Sequence, residues 1–102
     1  MTEVLRLDTV ETFEGLPIRS IIDGRTLEGD LVPLTCAGRC PDFFDDVQML
    51  VSADRNTCYY VPCKKGDISD GVILLEESHS VFYRKDKDSS GLFDCIDRRL
   101  TA

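Results

Sequence analysis

Asp46–Cys63, DVQMLVSADRNTCYYVPC, decides how the rest of the chain is read. Two apolar-rich runs flank Ala53-Asp54-Arg55-Asn56, a cluster of turn formers, and the pattern is that of a β-hairpin. In the first run Val47, Met49, Val51 and Ala53 fall on one face of a strand, and Gln48, Leu50 and Ser52 on the other. The second run, Thr57-Cys58-Tyr59-Tyr60-Val61, is rich in β-branched and aromatic side chains and closes at Pro62. Cys58 and Tyr60, two apart, are expected on one face. Just ahead, Pro41 followed by Asp42, Asp45 and Asp46 predicts one helical turn over 42–45, since Pro and acids favour a helix start.

Upstream of that hairpin, Asp23-Gly24 offers the two positive-φ positions of a type I′ turn, so 18–22 and 25–28 are expected to form a second, tight hairpin. Leu31–Leu34 contains Pro33, which has no amide hydrogen, and is expected at a sheet edge or in an extended loop. Cys36–Cys40, with its Ala-Gly-Arg interior and a following Pro41, reads as an exposed loop. The opening segment, 2–13, fits neither period cleanly and is expected to hold a short strand.

Downstream, Val72–Leu75 is apolar on both faces, the mark of a strand covered on two sides, and Val81-Phe82-Tyr83 is its expected partner across Glu77–Ser80. Leu92, Phe93, Ile96 and Leu100 recur at helical spacing, with Arg98 and Arg99 where a helix dipole favours cations. The expected architecture is a single α+β domain over 1–102, a mostly antiparallel β-sheet of about five to six short strands in hairpins with a short C-terminal helix.

The 102 residues suit one modest core, and an apolar share of 42% argues against disorder. The net charge of -7 is unevenly spread: 1–46 carries ten acids against four arginines, and 47–102 nine acids against eight bases. Such an acidic first half repels a phosphate backbone and attracts a basic protein. Lys64, Lys65, Arg84, Lys85 and Lys87 form only a local basic spot. No basic segment leads into an apolar run at the N-terminus, and no stretch approaches the ~20 apolar residues of a membrane span, so a cytoplasmic location is expected.

Five cysteines, an odd number, argue against a disulfide framework in that compartment. Cys36, Cys40, Cys58 and Cys63 supply the four thiolates of a structural zinc site, but their gaps of three and four residues differ from the two-residue knuckle of zinc ribbons. The same gaps oppose a redox dithiol, leaving Cys58 and Cys95 as small core residues. His79, the sole histidine, lies in Glu-Glu-Ser-His-Ser, a hairpin-tip sequence without a partner at catalytic spacing. No phosphate-cradling or nucleophile-elbow motif is present. Neither a catalytic residue, a cofactor nor a metal is therefore expected.

What remains is the acidity. Asp23, Glu28, Asp30, Asp42, Asp45 and Asp46, held on a rigid sheet, are the expected partner-binding residues, able to imitate a phosphate row and occupy a basic cleft. The function expected is a non-enzymatic interaction module, a stoichiometric inhibitor of the phage or mobile-element type against a nucleic-acid-handling protein. A cysteine-based zinc or thiol-redox domain and a homodimeric structural subunit are the alternatives. Phe13–Arg19 followed by Asp23-Gly24 resembles the opening of phage antirepressor N-terminal domains over a short stretch. The aromatic residue that follows the turn in those domains is missing, and no residue role passes from the resemblance.

Overall fold

The computed structural model describes residues 4–39, 46–65, 67–76, 80–82 and 91–101. They form a mixed β-sheet that curls into a half-barrel, with a helix at the C-terminal end. The strands are β1 (Val4–Leu5), β2 (Ile21–Arg25), β3 (Leu31–Arg39), β4 (Val47–Ser52), β5 (Thr57–Pro62), β6 (Ile68–Ser69), β7 (Val72–Leu74) and β8 (Ser80–Phe82). Their order is β6-β7-β2-β3-β4-β5-β8, and β1 lies along β2.

The β4–β5 hairpin stands as expected, with Val47 opposite Pro62 and Val51 opposite Cys58. Its first strand is the centre of the molecule, because both of its faces are buried. Leu50 enters an inner cluster with Phe13, Ile22, Leu34 and Ile73, in the hollow of the half-barrel. Met49 and Val51 enter an outer cluster with Cys58, Ile96 and Leu100. The curl brings Leu75, just after β7, into one cluster with Val61 of β5, although three strands lie between them in the sheet.

The outer cluster is closed by α2 (Leu92–Thr101), the helix its periodicity predicts. Leu92, Ile96 and Leu100 are its buried stripe, each contributing roughly 1.5–3 kcal/mol relative to exposure. Arg99 pins the helix to the sheet by donating from Nη1 to the carbonyls of Ala37 and Arg39. Those carbonyls flank Gly38, which sits at a β-bulge with φ +81°, a conformation open to glycine.

Gln48 is the one buried polar side chain among the described residues, and it ties the first helix to the sheet. That helix, α1 (Val10–Glu14), begins where the Thr9 hydroxyl accepts a hydrogen bond from the Thr12 amide. At its other end Gln48 Nε2 donates to the carbonyls of Phe13 (3.0 Å) and Glu14 (3.1 Å), and Arg39 donates to Glu14 at 3.2 Å. The Cys36 thiol donates in turn to Gln48 Oε1 at 3.7 Å. The expected opening strand is thus confined to Val4–Leu5, and the helical turn that follows plugs the hollow with Phe13.

Several expectations are corrected. Asp23-Gly24 is not a turn but the middle of β2, paired with Pro33 and Val32. Gly24 is there because a Cβ would lie 2.8 Å from Leu75 Cδ1 and 2.9 Å from Leu34 Cδ1. The chain reverses instead at Thr26–Asp30. The second Asp-Gly pair, Asp70-Gly71, makes the two-residue turn between β6 and β7, with φ values of 55° and 82°. Cys36–Arg39 is not an exposed loop but the end of β3, with Cys36 and Ala37 fully buried. Cys40 and the turn expected over 42–45 lie outside the described residues.

Pro33 lies in an interior strand, yet its missing amide costs no ladder bond. Cys36 directs its N–H toward Ser20, on the β2 side, so by alternation the nitrogen of Pro33 faces away from β2. There β4 has already ended, its last pair being Ser52 with Leu34. Finally, β7 does not pair with β8. It runs parallel to β2, Gly24 opposite Ile73, while β8 pairs with β5 on the far side of the sheet.

Two substitutions test these contacts. Gln48→Leu leaves two carbonyls of α1 without their buried donor and should cost about 3 kcal/mol in urea unfolding. Gly24→Ala should cost roughly 1–3 kcal/mol by forcing Leu75 and Leu34 apart, whereas a true turn glycine with space around it would show no such overpacking.

Candidate functional site

The β2–β3 turn and the β4–β5 turn lie at the same end of the sheet. The β2–β3 turn is held by Gly29 N–H on the Thr26 carbonyl (2.9 Å), Thr26 N–H on the Asp30 carbonyl (2.9 Å) and Asp30 N–H on Thr26 Oγ1 (3.2 Å). It thrusts Leu27, 71% exposed, and the exposed Glu28 and Asp30 into solvent. The β4–β5 turn is organised by a carboxylate: Asp54 Oδ1 accepts from Ser52 Oγ (2.6 Å) and from the Asn56 amide (2.9 Å). These bonds favour the charged form and hold the Asp54 carboxyl below its ordinary pKa, the Ser52 hydroxyl contributing most. Glu76, exposed after β7, completes a rim of four carboxylates.

Glu28 and Glu76 of the rim border a cleft of about 220 Å³ in the mouth of the half-barrel, lined also by Thr26, Leu27, Thr57, Tyr59 and Leu75. Among the described residues, Arg55 and Arg25 at this end are engaged within the molecule. Arg55 pairs with Asp97 of α2 at 3.9 Å, and Arg25 donates to the Gly29 carbonyl at 3.3 Å.

The expected acidic residues do not form one row. Glu28 and Asp30 belong to the rim, and Asp23 sits half-buried on the convex outer face of β2. Asp46 lies at the opposite end of β3, roughly 25 Å away at the rise of a nine-residue strand, and pairs with Arg39 at 3.4 Å. Asp42 and Asp45 lie outside the described residues. The reading of the sequence missed Asp54 and Glu76, whose only signal was their position in turn-rich sequence next to β-runs.

Of the four thiols of the zinc alternative, Cys40 lies outside the described residues, and Cys36 is in the inner cluster whereas Cys58 is in the outer one, on opposite faces of the sheet. Cys63 is buried where the chain leaves β5, its amide bonded to the Asp46 carbonyl at 2.9 Å. Burial pushes the Cys36 thiol above its ordinary pKa, and burial likewise raises Cys63, against the opposing pull of Arg39. The upward shifts favour the protonated thiol at neutral pH for both. Cys95 is half-buried against the outer cluster, and His79 lies outside the described residues. Among the described residues no three His, Cys, Asp or Glu side chains gather to hold a metal ion. No described helix is long and apolar enough to cross a membrane.

No protein-family model matches the chain, and no curated protein or solved structure matches it. The rim and its cleft therefore stand on their own geometry.

The carboxylate in the β4–β5 turn sets a pH dependence. Its folded pKa is depressed, so its stabilising effect is complete above the ordinary aspartate pKa and is lost as pH falls through the lower folded value. Asp54→Asn should lower Tm at neutral pH, and in thermal scans the gap from the unsubstituted chain should narrow as pH falls below the ordinary aspartate pKa and close only below the lowered folded value.

Proposed function

We propose that the protein is a non-enzymatic interaction module that presents the acidic rim to a basic surface of a partner protein. The observation that supports this reading is the placement of Glu28, Asp30, Asp54 and Glu76 at one end of the half-barrel, beside arginines already engaged within the molecule. A negative net charge of seven draws a basic partner in from a distance, and the rim fixes where it docks. Such a rim competes for the surface with which a nucleic-acid-handling protein holds phosphates, so the module acts as a stoichiometric inhibitor. Leu27, exposed between the carboxylates, adds an apolar contact at the centre of the footprint.

Affinity capture from the native host's lysate tests this reading. A partner retained at low salt should be released at high salt and should bind the triple variant Glu28→Lys, Asp30→Lys, Glu76→Lys at least tenfold more weakly. Added DNA or RNA should compete with it for the captured partner. Capture that is indifferent to salt and to all three reversals would reject the proposal.

A further inference from the structure

A second surface lies on the outer face of the sheet, away from the rim. Helix α2 covers that face only over β3, β4 and β5, where Ala37, Met49, Val51 and Cys58 meet Ile96 and Leu100. The other half of the face has no covering layer among the described residues. The register places Ile21, Asp23 and Arg25 of β2 on it, opposite Thr35, Pro33 and Leu31 of β3. Val4 of β1 lies beside Ile21, and Leu74 of β7 beside Arg25. Leu31 is 53% exposed and Val4 47%, and they border a groove of about 400 Å³ that also contains Asp23 and Arg25.

Charge on this patch is balanced, in contrast to the chain as a whole. Arg6 and Arg25 line the groove together with Asp23 and Asp70, and Arg6 also pairs with Asp8 beside it at 3.5 Å. Asp23 makes no ion pair among the described residues, and Arg25 spends one nitrogen on the Gly29 carbonyl. A strongly basic or strongly acidic partner gains little from a neutral groove, but a patch with equal charges of both signs is complementary to itself. We infer that this face binds a second copy of the same chain.

Asp23 and Arg25 are two residues apart on one strand, so they stand side by side on one face. A two-fold axis in the interface, crossing β2 at Gly24, lays Arg25 of each copy over Asp23 of the other. The two ion pairs are then equivalent, as an isologous contact requires, and Leu31 and Val4 are drawn out of water around them. The rim lies at the end of each half-barrel, away from this face, so the dimer offers two copies of the proposed docking site. The inference is independent of that proposal, since it concerns different residues and a different readout.

Sedimentation equilibrium of the purified full chain over a concentration series tests it. A reversible monomer–dimer equilibrium is expected. Asp23→Arg alone or Arg25→Asp alone should weaken the dimer at least tenfold, and the two together, which restore opposite charges across the axis, should recover most of it. Leu31→Glu should abolish it, and because Leu31 is exposed in the monomer its thermal unfolding should be unchanged at concentrations where the unsubstituted chain is also monomeric. A chain that stays monomeric at its highest soluble concentration overturns the inference. So does a dimer that survives all of these substitutions, which would be held by another surface.

Discussion

The carboxamide of Gln48 is the constraint on which the inner half of the molecule depends. It sits on the central strand, buried from both sides, where an unpaired amide would be costly. Each end of it is used: the nitrogen holds the last carbonyls of α1, and the oxygen accepts the Cys36 thiol. These bonds fix where α1 ends and so where Phe13 enters the hollow. Arg39 repeats the logic at the surface, joining the Glu14 carbonyl to the Asp46 carboxylate. One polar residue in an otherwise apolar strand thereby gives the inner core a unique arrangement.

How much of this was legible follows from which contacts are local. The β4–β5 hairpin and α2 are written in their own periodicity, and both stand where the sequence places them. Asp23-Gly24 and Asp70-Gly71 carry the same local signal, yet only the second is a turn. What separates them is Leu75, which packs against Gly24 from about fifty residues away and leaves no space for a side chain there. The parallel ladders of β1 and β7 on β2 are likewise invisible to a local pattern, because nothing in a strand's own sequence names its neighbour. Of the candidate site, Glu28 and Asp30 were found from charge, whereas Asp54 and Glu76 join them only once the curl of the sheet brings separate turns to one end.

Burial also divides the molecule electrostatically. Inside, the Cys36 thiol is kept protonated by burial, and Gln48 contributes a carboxamide that carries no charge. Outside, charges sit in turns and on the rim, where a carboxylate such as Asp54 is useful twice, first as the acceptor that shapes the turn and then as a charge that a partner can meet. The proposed interaction therefore demands no flexible element, and the binding surface is set by the same hydrogen bonds that stabilise the hairpin.

The parallel pairing of β2 with β7 carries a consequence for how the chain folds. β3, β4 and β5 follow one another in antiparallel succession and assemble from near neighbours in sequence. β1 covers only the Ile21–Ile22 end of the other edge of β2; the Gly24–Arg25 end waits for Ile73 and Leu74, which complete the hollow of the half-barrel. Closing that span costs more chain entropy than the local pairings of the meander, and the segment that closes it supplies Leu75, the side chain that lies over Gly24. Contact order thus favours the meander as the part to assemble first, with the inner core sealed after it.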